Sequence, residues 1–147
     1  HLPFRDTQLK NVSKRPLCIM LVDDNPDDNF FHAREIKKHN PENTVVTKTA
    51  APEALEYLRS KETKGCHPDL IFLDINMPGM NGWEFLEEYN RLDKEAQGRA
   101  IIIMLTTSEN PDDVAKAKGW SFVSDYRSKP LTNTIMQDVM RKYFADR

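Results

Sequence analysis

Short, unbroken apolar runs alternate along this chain with segments of helical period, and that alternation restricts the folds open to it. Residues 17–22 (LCIMLV), 70–73 (LIFL) and 100–105 (AIIIML) are each of strand length and have no polar side. A strand wetted on one face would alternate, so these runs belong between two covering layers. Residues 44–49 carry β-branched residues in alternation and give a second strand; residues 122–127 give a short fifth one.

Helix starts separate them. Asn25-Pro26-Asp27-Asp28 and Asn110-Pro111-Asp112-Asp113 both combine an Asn cap, proline at the first helical position and acids facing the helix dipole. The first helix runs to about residue 39 with Phe30, Phe31, Ala33 and Ile36 as its apolar set. The second opens at Ala51-Pro52 and places Ala51, Ala54, Leu55 and Leu58 on one face. A third, from Asn81-Gly82, aligns Phe85, Leu86, Tyr89 and Leu92; the last, over residues 131–144, aligns Met136, Met140 and Tyr143.

Strand and helix thus alternate five times, the pattern of a parallel sheet with helices on both faces and right-handed crossovers. The expected architecture is a doubly wound five-stranded α/β sandwich of three layers, strand order 2-1-3-4-5; a closed barrel needs eight such units. Residues 17–147 form one domain and residues 1–16, aperiodic and with four basic residues, a flexible leader.

Composition removes several classes. No apolar run approaches the ~20 residues that span a bilayer, and residues 1–16 lack the apolar centre of a signal peptide. A net charge of −2 argues against a nucleic-acid-binding surface. Cys18 in a strand and Cys66 in a loop, without a CxxC or a histidine pairing, point to neither a zinc site nor a disulfide framework, so a reducing cytoplasm is the expected setting.

The chemistry lies at the strand ends. Asp23-Asp24, Asp74, Thr106 and Lys129 follow successive strands, and a parallel sheet turns all of them out of one edge, where ligands collect. Strand one neighbours strand three, so carboxylates converge; they repel unless a cation lies among them, and hard oxygen ligands suit magnesium. A lysine and a hydroxyl at the rim supply countercharge and a donor for a phosphoryl group. Taken singly, each residue has a plainer explanation as a helix cap, a turn or a buried β-branched side chain.

The set Asp23-Asp24, Asp74-x-Asn76-Met77-Pro78-x-x-x-Gly82, Thr106 and Tyr126-x-x-Lys129-Pro130 resembles the receiver domain of two-component response regulators, over residues 17–144. The resemblance implies a flavodoxin-like, CheY-like fold and names Asp74 as the acceptor of a phosphoryl group from a sensor histidine kinase or a phosphotransfer protein. It implies Mg²⁺ held by the side chains of Asp24 and Asp74 and the backbone carbonyl of Asn76, with Asp23 acting through water. Thr106 would hydrogen-bond the phosphoryl group, Lys129 would pair with it, and Tyr126 would be the aromatic switch, with Thr107 at the small-residue position beside Thr106. It further implies a signalling domain that catalyses only its own phosphorylation and dephosphorylation, and a homodimer through the fourth helix, fifth strand and fifth helix.

The chain ends at residue 147, which gives the expectation of a stand-alone receiver, and Asn-Pro-Asp-Asp after the acid pair resembles receivers that serve phytochrome-type kinases. The stretch 119–126 (GWSFVSDY) departs from the Gly-Ala pair usual before the switch aromatic; Trp120 and Phe122 either face a partner or close the core. Three other readings are weaker. A phosphatase of the haloacid dehalogenase type wants Asp-x-Asp where Asn76 stands, and a nucleotide site wants a glycine-rich loop that five scattered glycines do not make. A receiver-like module that is never phosphorylated has no need of the intact acid set.

Overall fold

The computed structural model describes residues 15–60 and 66–145. Five strands, β1 (Cys18–Val22), β2 (Thr44–Lys48), β3 (Leu70–Leu73), β4 (Ile101–Thr106) and β5 (Val123–Ser128), make one parallel sheet in the order β2-β1-β3-β4-β5. Residues 1–14 of the expected leader fall outside the described residues. Arg15, also assigned to it, lies 3.7 Å from Asp69 and over the Phe144 ring.

The helices are α1 (Pro26–His39), α2 (Ala51–Arg59), α3 (Gly82–Arg91), α4 (Lys94–Gln97), α5 (Pro111–Lys118) and α6 (Asn133–Tyr143). The expected count was five; α4 is a single turn, capped by Asp93 onto the Ala96 N–H, too short to show a period. Asn25 and Asn110 both cap their helices as the repeated Asn-Pro-Asp-Asp requires.

Strand residues divide strictly between two cores. Met20, Val22, Ile71, Leu73, Ile102 and Met104 pack with α2, α3 and α5, while Ile19, Leu21, Phe72, Ile103 and Leu105 pack with α1 and α6. The buried face of α2 is the expected one, Ala51, Ala54, Leu55 and Leu58. That of α1 is not: Phe30 and Phe31 are 67% and 45% exposed, and the helix buries Asn29, His32 and Ile36. An apolar count chose the wrong side because the inner face of this first turn lies against polar strand ends, not against the core. Trp120 and Phe122 are half-buried against the first core, Phe122 5.2 Å from the Tyr89 ring, so this stretch closes the core.

The expectation for the cysteines is overturned. Cys18 and Cys66 are joined in a disulfide with their Cα atoms 5.9 Å apart. The 48-residue separation hid a neighbour relation that the sheet order creates, since β1 lies beside β3 and Cys66 stands just ahead of β3.

Candidate functional site

The sheet ladder runs one residue past three strands and so places the functional side chains. After β1 the Asp23 N–H donates to Lys48 O at 3.1 Å; after β3 the Asp74 N–H donates to Val22 O at 3.0 Å; after β5 the Lys129 N–H donates to Thr106 O at 3.0 Å. Backbone that is held this way fixes where each Cβ points.

Ligand oxygens of Asp23, Asp24 and Asp74 lie within 4.8 Å of one another, with Asp23 and Asp74 buried and Asp24 exposed. The Lys129 ammonium sits among the acids, 2.6 Å from Asp23 Oδ2 and 3.1 Å from Asp74 Oδ2. It also donates to Asp28 Oδ2 at 2.8 Å. The Asp23 Oδ1 accepts from the Asn25 N–H, and the Asp74 Oδ1 from the Ile75 N–H. Each acid is therefore anchored through one oxygen and turned to the cation through the other.

Burial is the largest influence on Asp23 and raises its carboxyl above the usual range, against the opposing pull of Lys129 and the Asn25 N–H. For Lys129 burial alone would depress the ammonium; hydrogen bonds to Asp23 and Asp28 and the charge of Asp74 outweigh it and hold the group above its ordinary range. The lysine is thus the resident countercharge. As a donor set the three carboxylates are hard oxygens in a half-open cluster, the chemistry of a magnesium site. The residues present fit it, provided that Lys129 gives up part of its hold.

Thr106 ends β4 fully buried, in register with Ser128 next to Lys129, while Thr107 is exposed. Its Oγ1 accepts from the Ser108 N–H at 3.3 Å, and Ser108 O accepts from the Tyr126 hydroxyl at 2.9 Å. Two hydrogen bonds therefore link the pocket wall to the aromatic side chain on β5. Asn76 lies two residues past Asp74 with its side chain exposed, and no side-chain hydrogen bond among those described ties it to the acids.

Gly82 opens α3 against this site. Its N–H donates to Ile75 O at 2.8 Å, and a Cβ there would stand 2.6 Å from the Asp74 carbonyl oxygen. The sequence reading missed three residues: Asp28, read only as a first-turn acid, and Asn29 and His32, which face the acids from α1. The signal for Asp28 was its place one turn after the strand end; Asn29 and His32 had none beyond helical spacing.

A family model described as the response regulator receiver domain matches residues 19–141. A two-component response regulator structure from Cytophaga hutchinsonii superposes with TM-score 0.78 at 30% identity, covering 87% of this chain and 97% of that one. Hybrid signal transduction histidine kinase D of Dictyostelium discoideum is 32% identical over 84% of the chain, which spans 7% of that protein's length. Protein PilH of Pseudomonas aeruginosa is 27% identical over 86% of the chain and 97% of its own length. With the sheet order, the strand-end acids and the motif agreeing over that span, the chain belongs to the response regulator receiver domain family of two-component signalling.

Proposed function

We propose that this receiver accepts a phosphoryl group on Asp74, in a Mg²⁺-dependent reaction, from a phosphohistidine on a sensor kinase or phosphotransfer protein. The observation that carries the reading is the convergence of Asp23, Asp24 and Asp74 around the Lys129 ammonium. An Asp74 oxygen attacks phosphorus, the O–P bond forms as the P–N bond breaks, and the histidine nitrogen leaves with the electron pair. Asp24, Asp74 and the Asn76 carbonyl would hold Mg²⁺, with Asp23 acting through water, and the ion would supply charge neutralisation for the phosphoryl oxygens. Lys129 exchanges its carboxylate contacts for the phosphoryl group, and Thr106 donates its hydroxyl to it.

The product carries roughly 1.5–2 negative charges where one carboxylate stood. Drawing Thr106 toward that charge breaks its bond from Ser108, and the Tyr126 hydroxyl loses a fixed acceptor. Tyr126 turns inward, and the surface of α5, β5 and α6 changes for protein contact or phosphate relay. In this reading the domain acts on no free substrate; it catalyses only its own phosphorylation and hydrolysis. The same surface is where two copies pair.

No described helix is long and apolar enough to cross a membrane. The proposed setting is the cytoplasm, alongside the kinase.

Acetyl phosphate with Mg²⁺ adds one phosphoryl group, read by intact-mass spectrometry, and Asp74→Asn abolishes it. Equal labelling of the variant overturns the acceptor assignment. Sedimentation of the beryllofluoride-loaded protein gives a dimer, and a monomer in both states removes the pairing.

A further inference from the structure

Beneath the acids, on the side away from solvent, Asn29 and His32 share one face of α1 at i and i+3. Asn29 is 4% exposed and His32 3%. The Asn29 Nδ2 donates to the Asp23 carbonyl at 2.9 Å, which fixes the amide orientation, because the flipped form would set two oxygens against each other. Its Oδ1 is then buried and meets no donor among the described residues. An orphaned buried acceptor of this kind destabilises the fold unless something donates to it.

Both residues line a small cavity of about 10 Å³ whose other walls include Asp23, Asp74, Phe72 and Leu105. Space of roughly 10–15 Å³ is what one water needs, and such a water requires two to four polar partners. Four polar residues face this one, so the partner requirement is met as well as the volume.

We propose that Asn29 and His32 hold a single internal water beneath the acids, and that through it they act as positioning residues for Asp23 and Asp74. The hydrogen-bond count closes. The water donates one O–H to Asn29 Oδ1 and the other to a carboxylate oxygen of the acid pair, and accepts an N–H from the His32 ring. Burial, aided by Lys129 and against the pull of Asp28 and Asp74, holds the imidazole below its ordinary range, so at neutral pH it offers that N–H as a neutral ring. Asp23 and Asp74 are gripped from above by Lys129 and from their own backbone side by the Asn25 and Ile75 amides. The water supplies a third direction and fixes the plane of the carboxylate to which it donates.

The role rests on the phosphoacceptor reading, and the test separates the two. In a crystal structure of the wild type at a resolution that orders internal waters, density for one water within hydrogen-bond distance of Asn29 Oδ1 and a His32 nitrogen is expected; a dry cavity overturns the proposal. Nitrogen NMR of His32 gives a neutral ring with one tautomer dominant, whereas averaged tautomers count against it. His32→Leu slows acetyl phosphate labelling of Asp74 about tenfold, the scale of lost outer-sphere partners, while His32→Gln, which keeps an N–H donor, restores most of the rate. Wild-type rates in both variants overturn the positioning role even with the water present. If the wild type itself takes no phosphoryl group, the acceptor reading falls, and density and NMR still decide the water.

Discussion

Lys129 is divided among Asp23, Asp28 and Asp74, and the second of these partners is the one that alters the chemistry expected of the pocket. A cation entering the cluster competes with the ammonium for Asp23 and Asp74, and Asp28 gives the lysine somewhere else to lean. Asp28→Asn removes that alternative and one negative charge together, and both effects oppose the metal. Its Mg²⁺ dissociation constant should rise about three- to tenfold, the ~1 kcal/mol scale of one part-exposed carboxylate, as read by fluorescence or calorimetric titration. Unchanged or tighter binding would mean that Asp28 does not share the load. At this scale the strand-end residues were legible, because a parallel sheet fixes their edge once the strands are recognised. Asp28 was visible as a residue but not as a contact: good capping chemistry accounted for it, and nothing in the sequence says which way a first-turn side chain turns.

Among the elements, the junction of β3 and α3 is the tightest. Alanine is favoured over glycine by about 1 kcal/mol inside a helix, so propensity alone makes Gly82→Ala a stabilising change. The added Cβ, however, would meet backbone atoms at 2.6 Å and 2.9 Å, from Asp74 and Ile75, and backbone cannot swing aside as a side chain does. The steric effect wins. Gly82→Ala is expected to lower stability by roughly 1–3 kcal/mol and to slow phosphorylation of Asp74, as measured by urea unfolding and intact-mass labelling. A variant as stable as the wild type would show that α3 can withdraw freely. The periodic helices and apolar strands were readable because each buries one kind of surface. Where an element meets polar strand ends, as α1 does through Asn29 and His32, hydrophobic patterning selects the wrong face.

Across the whole molecule the sheet separates two chemistries. Acids, lysine and threonine occupy the carboxyl edge, and the Cys18–Cys66 link ties the opposite edge, about five residues or roughly 16 Å of strand away. Closing a 48-residue separation stabilises by about 4 kcal/mol in the chain-entropy account. A lower urea midpoint for the protein held in dithiothreitol than for the oxidised form is therefore expected, with Asp74 labelling unchanged; equal midpoints would show that the link constrains little. The pairing was invisible in the sequence because it depends on topology: residues far apart along the chain become neighbours only once β1 and β3 are placed side by side.

That placement has a practical side. The chain has two cysteines, and both stand at the edge remote from Asp74. With Cys18→Ser, the half-buried Cys66 becomes a unique attachment point for a dye or a sensor surface. A protein tethered there presents its acid pocket and the α5-β5-α6 face outward, so that arrival of a phosphoryl group could be followed on single immobilised molecules without any label near the switch.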